Sequence, residues 1–178
     1  MKIVADRITI RNFFNSDLYD FYEFSSHPSV GYSAGWRPHT SIEMSERILF
    51  NKVISTNNFA IVLNENNKVI GSIELNKSHI REGINAYEIG FALNPDYWGM
   101  GFAYEAGKVL LRYAFKNLHA DVLEMCHIVD NTKSQRTIEA LGFIYEGTLL
   151  SYKKMYDKRI VDVKLYRLTK DEYERMDK

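Results

Sequence analysis

The chain has 178 residues, 46% of them apolar and 26% charged, and its 23 basic and 23 acidic side chains cancel to a formal charge of zero. That size and composition suit one globular domain over 1–178, large enough to bury a core without disulfides or metal staples, and exclude a disordered chain. Balanced charge gives no basic field for nucleic acid. Cys126 is the single cysteine, so no disulfide framework exists. No apolar run approaches the ~18 residues of a membrane span, and MKIVADRITIR lacks the apolar centre of a signal peptide. A soluble cytoplasmic protein is expected, with neither nucleic acid nor membrane as partner.

In chain order, Arg7 to Asn12 alternates Ile8 and Ile10 with polar residues and predicts a strand. Asn15 or Ser16 can cap a helix through about Ser25. Residues 26–39 hold His27-Pro28, Gly31, Gly35 and Pro38 and read as a loop carrying Tyr32, Trp36 and His39. Thr40-Ser41-Ile42-Glu43 fits a capping box, opening a second helix to about Ser55 that buries Ile42, Leu49 and Val53. Asn58 to Leu63 and Lys68 to Asn76 are strands around the Asn64–Asn67 turn, and Gly71 marks a bulge or a close backbone approach.

The stretch from Tyr87 to Phe115 is the most informative. Ile89, Phe91 and Leu93 alternate with Glu88, Gly90 and Ala92 as in a half-buried strand, and Asn94-Pro95-Asp96 ends it. Trp98-Gly99-Met100-Gly101-Phe102-Ala103 follows, and Ala103, Ala106, Leu110 and Tyr113 then recur at helical spacing. A strand, a glycine loop and a helix N-terminus make an anion site, because glycines admit close backbone N–H groups and the helix dipole favours negative charge. The third glycine of a dinucleotide fingerprint is missing, as is any Walker-type G-x-x-x-x-G-K-[ST]. An ordinary strand–turn–helix with a tight turn remains the alternative.

Val122 to Val129 reads as a buried strand, Ser134 to Leu141 as a short helix opened by Asp130-Asn131 and stopped by Gly142. Phe143 to Tyr152 and Ile160 to Leu168 are two further strands, and the charged tail over 169–178 a last short helix. The order β, α, α, β, β, β, α, β, α, β, β combines an antiparallel meander with one crossover. It predicts an α/β (α+β) fold with a mixed sheet and helices on both faces.

These motifs resemble the GNAT superfamily of acyl-CoA N-acyltransferases, and within it the RimJ/RimL-like branch. EIGFALNP running into YWGMGFAYEA is similar to the family's pyrophosphate loop, [QR]-x-x-G-x-[GA]. Asn131-x-x-Ser134, with Leu141-Gly142-Phe143 and Glu146-Gly147 after it, is similar to the branch's N-x-x-S…LGF…EG pattern. The element order matches nearly end to end. Two positions depart from the pattern: Trp98 stands where the family has Gln or Arg, and Ile138 where some relatives carry a tyrosine general acid.

The resemblance implies a mostly antiparallel, seven-stranded sheet and acetyl-CoA as co-substrate. The acetyl group would go by direct attack to a primary amine: a protein N-terminus of the ribosomal-protein type, or a small amine such as a polyamine, amino sugar or antibiotic. A coenzyme A-binding module without catalysis is the rival from another class. By the same resemblance, Phe91, Ala92 and Leu93 would pair with the pantetheine arm, while Trp98, Gly99, Met100, Gly101, Phe102 and Ala103 would hold the pyrophosphate. Asn131 would bond the pantetheine region and Ser134 would lie near the sulfur as donor or polariser. Trp36 and His39, beside Arg37, would overhang the acceptor.

The chemistry needs a base, since a free α-amino group has a pKa of ~8 and a lysine ~10.4. Glu88, acting through water, is the candidate, and a solvated strand carboxylate is its plain alternative. Asn131 and Ser134 read equally as helix caps, Glu105 as a first-turn carboxylate that stabilises its helix, and Trp36 as a packing anchor. His127 reads mainly as a satisfied core or rim histidine. Cys126 is a poor nucleophile, because apolar neighbours raise a thiol pKa. No histidine spacing suggests a metal. The aromatics Tyr152 and Tyr156 fit either a homodimer interface or closure of the sheet.

Overall fold

The computed structural model describes residues 1–176 and divides into two compact units. The first comprises Met1–Glu74 with Phe91–Val109, the second Leu75–Gly90 with the residues from Leu110 onward.

The first unit opens with β1 (Lys2–Val4) and β2 (Ile8–Asn12). Three helices follow, α1 (Leu18–Ser25), α2 (Pro28–Ala34) and α3 (Ile42–Ile54), and then β3 (Asn58–Leu63) and the start of β4 (Val69–Lys77). Neighbouring strands run antiparallel, in registers such as Lys2↔Arg11, Ile8↔Leu63 and Asn58↔Glu74. Ile8 and Ile10 are fully buried, as their alternation predicts. Phe13, Phe21, Phe24, Val30, Leu49, Val62 and Val69 form the core beneath the helices, with edge-on rings at 5.7 Å (Phe13–Phe21) and 5.4 Å (Phe21–Phe24). Arg11 forks onto Asp17 at 2.7 and 2.9 Å, and Asp17 also accepts the Phe14 N–H at 2.8 Å.

Several local expectations need correction. Eight strands form among the described residues, where seven were expected, because the three-residue β1 is too short to show alternation. Residues 28–34, read as loop, are helix α2. Pro28 occupies its first turn, where no backbone donor is needed, His27 caps it by accepting the Ser29 N–H, and Gly35 ends it at φ +81. Those three residues punctuate a helix as readily as they break one. The first helix begins at Leu18, after a 3-10 turn over Asn15–Asp17, so neither Asn15 nor Ser16 is its cap. The cap of α3 is Ser41, which accepts the Met44 N–H at 3.3 Å, one residue beyond the expected Thr40. Leu49 is buried, while Ile42 and Val53 are half-buried.

Gly71 satisfies both readings offered for it. The register slips opposite it, from Ile61↔Gly71 to Val62↔Val69. A Cβ there would lie 2.2 Å from the Ala92 carbonyl oxygen. Simple alternation in the β5 strand (Ala86–Leu93) would expose Ala92, yet it is buried as a member of the phenylalanine core.

The second unit holds the start of β5, then β6 (Val122–Ile128), β7 (Ile144–Lys154) and β8 (Ile160–Thr169). Strand β5 runs parallel to β6 over Ala86↔Val122 to Glu88↔Glu124, as the expected crossover requires. Strand β6 pairs antiparallel with β8 as far as Ile128↔Val163, and β8 with β7. The crossover helix α4 (Phe102–Lys116) begins in the first unit and ends in the second. Near its end Phe115 stacks on Tyr173 of α6 (Lys170–Met176) at 4.7 Å. Helix α5 (Thr132–Ala140) starts two residues earlier than expected and stops before Gly142, at φ +88. The expected tail helix reaches Met176, and its last two positions lie outside the described residues.

Gly71→Ala is expected to cost about 3 kcal/mol, because its methyl must displace backbone rather than a side chain. A fall in the urea midpoint at unchanged m-value checks this.

Candidate active site

In the first unit, strand β5 ends at Leu93 and turns through Asn94. Asn94 is buried; it accepts the Asp96 N–H at 3.1 Å and donates to Glu23 at 2.6 Å, while its own N–H bonds Ile70 at 2.8 Å. Trp98 packs against the phenylalanine core, and its indole N–H donates to the Leu93 carbonyl at 2.9 Å. This ring therefore pins the loop from beneath.

Gly99 and Gly101 then sit in the left-handed region, at φ +77 and +81. A side chain is strained at either position, so both glycines are required by backbone shape. Gly99, Met100 and Gly101 are exposed, while Phe102 is buried and Ala103 half-buried. The first helical bond of the turn closes from the Glu105 N–H to the Gly101 carbonyl at 3.0 Å. Earlier N–H groups of α4 have no intrahelical acceptor, by helix geometry. Exposed glycine backbone leads into open helical donors, an arrangement whose geometry suits an anion. Phe91, Ala92 and Leu93 occupy the strand just before it, with Phe91 half-buried and Ala92 and Leu93 buried.

Trp36 and His39 are tied to packing in the same unit. Trp36 is half-buried against the core cluster. His39 is 6% exposed, its Nδ1 lies 2.7 Å from the Ser45 hydroxyl, and its ring meets Phe21 edge-on. Burial, aided by the Lys52 charge, lowers its pKa below 6.5.

In the second unit, Glu88 and Glu124 are register partners, and Cys126 is two residues further along β6. The Cys126 thiol donates to a Glu88 carboxylate oxygen at 3.3 Å. Burial first, and the Glu88 charge second, push this thiol up to about 12. Glu124 is 1% exposed and paired with Arg81, whose other guanidinium nitrogen pairs with Glu146. The half-buried Glu88 carries no such cation among its described contacts.

Asn131 caps α5 by accepting the Ser134 N–H at 3.1 Å, as the plain reading predicts. That bond uses its carbonyl and leaves the amide to donate elsewhere. Ser134 is half-buried in the first turn, and Ile138 is fully buried. His127 is a core histidine. Its Nδ1–H donates to the Ile128 carbonyl at 2.8 Å, which leaves Nε2, 3.4 Å from the Tyr166 hydroxyl, as acceptor. Burial lowers its pKa below 6.5.

Sequence reasoning passed over two side chains. Tyr152 was read only as an aromatic of a homodimer interface or of sheet closure; it is exposed, and its phenol pKa is raised by partial burial first and then by the charges of Glu88, Cys126 and Glu124. Arg7 was read only as the start of a strand, yet its guanidinium touches the glycine loop. No local pattern marks either residue, since their neighbours are remote in sequence.

Comparisons with known proteins converge. Residues 7–144 match the acetyltransferase (GNAT) domain family. An uncharacterized N-acetyltransferase of Bacillus licheniformis, p20, is 30% identical over 178 residues, covering 96% of this chain and 97% of that one. YdaF of Bacillus subtilis, provisionally named a ribosomal N-acetyltransferase, is 35% identical over 60 residues, or 34% of this chain and 33% of its own. A crystal structure of a GNAT-family acetyltransferase from Bacillus anthracis superposes with a TM-score of 0.86 at 26% identity, over 96% of this chain and 99% of that one.

The two histidines with lowered pKa fix a sign for acid sensitivity. The unfolded chain takes up their protons near pH 6.5 while the folded chain does not, so stability falls as pH drops through that value. Urea midpoints should be lower at about pH 5.5 than at about pH 7.5, and His39→Gln or His127→Gln should flatten the difference.

Proposed function

The chain belongs to the GNAT acetyltransferase family, and from that premise we propose that it is a RimJ/RimL-like enzyme moving an acetyl group from acetyl-CoA to the amino terminus of a protein. The observation that carries the reading is the loop Gly99–Gly101 with its two left-handed glycines, opening directly into α4. The partial likeness to YdaF and the N-x-x-S…LGF…EG pattern support the choice of acceptor.

In this reading the whole chain serves one acetyltransferase domain. Backbone N–H groups from Gly99 to Ala103 hold the diphosphate, with charge stabilised by the dipole of α4. Phe91 to Leu93 offer strand backbone to the pantetheine amides, beyond the last β5–β6 register pair at Glu88↔Glu124. The Asn131 amide, free of the capping bond, donates to the same arm.

Acetyl transfer then runs by direct attack. The acceptor ammonium loses a proton to Glu88, through water, and the neutral amine adds to the thioester carbonyl. Collapse of the tetrahedral intermediate breaks the C–S bond: the attacking nitrogen gives up its surplus proton to solvent, and the departing thiolate of coenzyme A accepts a hydrogen bond from the Ser134 hydroxyl. A serine hydroxyl is a weak acid, so its contribution is a hydrogen bond to the developing negative charge, completed by proton transfer from solvent. The Cys126 thiol is too high in pKa to act as an acyl carrier and instead holds the Glu88 carboxylate by a hydrogen bond.

Acetyl-CoA turnover is followed by thiol release, with peptides whose amino-terminal residue is Ala or Ser set against spermidine and aminoglycosides. Peptide-dependent release supports the proposed acceptor, and release with a small amine alone overturns it. Glu88→Gln should lower kcat by about 10²–10⁴-fold at neutral pH, the usual loss of a general base, and part of the rate should return as pH rises toward the amine pKa. Ser134→Ala should lower kcat by about tenfold with coenzyme binding retained. Wild-type activity from both variants would remove these two residues from the mechanism.

A further inference from the structure

Arg7 makes four separate contacts with the glycine loop and the start of α4. Its backbone N–H donates to Glu105 Oε1 at 2.8 Å, and its Nε to Glu105 Oε2 at 2.8 Å. Its Nη1 donates to the Met100 carbonyl at 2.9 Å. Its guanidinium carbon lies 4.4 Å from the centre of the Phe102 ring. Arg7 and its partners belong to the same compact unit.

Arg7 is itself held in place. The Asn64 amide donates to the carbonyls of Ala5 and Asp6, at 3.1 Å each, and the Asn64 N–H to that of Arg7 at 2.9 Å. The Thr9 hydroxyl fixes the Asn64 carbonyl at 2.8 Å. The turn before β2 is thus bolted to the turn after β3, and the guanidinium starts from a fixed backbone.

Two consequences follow for the loop. Every peptide in it is trans. In a trans peptide the carbonyl and the following N–H point in opposite directions. Holding the Met100 carbonyl toward Arg7 therefore aims the Gly101 N–H away from Arg7. The second consequence is electrostatic. Glu105 sits near the start of α4, where an unpaired carboxylate would occupy the positive end of the dipole and repel a phosphate. The Arg7 guanidinium, bonded to one carboxylate oxygen, neutralises it, while the Arg7 N–H holds the other oxygen.

We propose that Arg7 is a positioning residue for coenzyme binding: it fixes the Met100–Gly101 peptide and cancels the Glu105 charge, so that the loop is preorganised for a diphosphate. This rests on the acetyl-CoA reading above. Lysine cannot replace it, because an ammonium lacks the planar fork that spans Glu105 and the Met100 carbonyl together.

The test has a ligand arm and a loop arm. Titration calorimetry with coenzyme A and with 3′-dephospho-coenzyme A is run on the wild type, Arg7→Gln, Arg7→Lys, Glu105→Ala and the Arg7→Gln/Glu105→Ala double variant. Arg7→Gln and Arg7→Lys should weaken both ligands by the same factor, about tenfold. The double variant should bind better than Arg7→Gln alone, since it removes the exposed carboxylate as well. In turnover, the KM for acetyl-CoA should rise by that factor while saturating kcat stays within about twofold. A loss confined to coenzyme A, absent with the dephospho form, would make Arg7 a direct 3′-phosphate ligand and overturn the proposal. So would full rescue by lysine, or an equal fall in kcat.

The loop arm needs no ligand. Amide hydrogen exchange at Met100–Ala103 should speed up in Arg7→Gln relative to the wild type, with the rest of the chain unchanged. Unchanged exchange there would sink the clamp. Failure of the wild type to bind either coenzyme would instead sink the acetyl-CoA reading, and the exchange result would still decide the clamp.

Discussion

The rest of the site depends on one constraint: backbone donors at the start of a helix have no partner within it. In α4 these donors follow two glycines in left-handed conformations, at Gly99 and Gly101, where other residues are strained. Side chains are largely excluded from the exposed turn, so its chemistry is main-chain chemistry. In the proposed reading, such a site would recognise shape and charge, which suits the diphosphate that every acyl-CoA shares, and would be indifferent to the acyl group and the acceptor.

Two glycines have no side chains with which to hold the loop, so its neighbours do that. Trp98 anchors one end by packing on the phenylalanine core and bonding the Leu93 carbonyl. Asn94 braces the turn between strand and loop. The close approach of Gly71 to Ala92 fixes the height of the strand feeding into it. Aromatic burial and the Asn94 turn thereby supply rigidity that the glycines lack. The departure from the family pattern at Trp98 has a physical reading in this arrangement: an indole packed on the core stands where the pattern has Gln or Arg.

Much of the fold was legible because its signals are local. Alternation in β2, the apolar run of β6 and the break at Asn94-Pro95 each lie within a few residues. Helix α2 was hidden because Pro28 and Gly35 are equally at home in loops, and β1 because three residues carry no period. The glycine loop could be read from sequence since its requirement is on backbone shape. Arg7 could not, since its partner Glu105 is 98 residues away. The ion pair of Arg81 with Glu124 was invisible for the same reason. The caps at Ser41 and Asn131 show the remaining ambiguity: a residue type that caps helices also binds ligands, and only geometry separates the two.

The state of Cys126 bears on the chemistry of the product. Every acetyl transfer from acetyl-CoA liberates a free thiol, and under oxidative stress that thiol circulates as disulfides. Thiol–disulfide exchange proceeds through a thiolate, whose supply falls tenfold for each unit that the pKa lies above ambient pH. With its thiol near 12, Cys126 is ionised to about one part in 10⁵ at neutral pH. An ordinary exposed cysteine would be ionised to a few per cent. The protein therefore generates a reactive sulfur compound while keeping its own sulfur out of reach of mixed-disulfide formation.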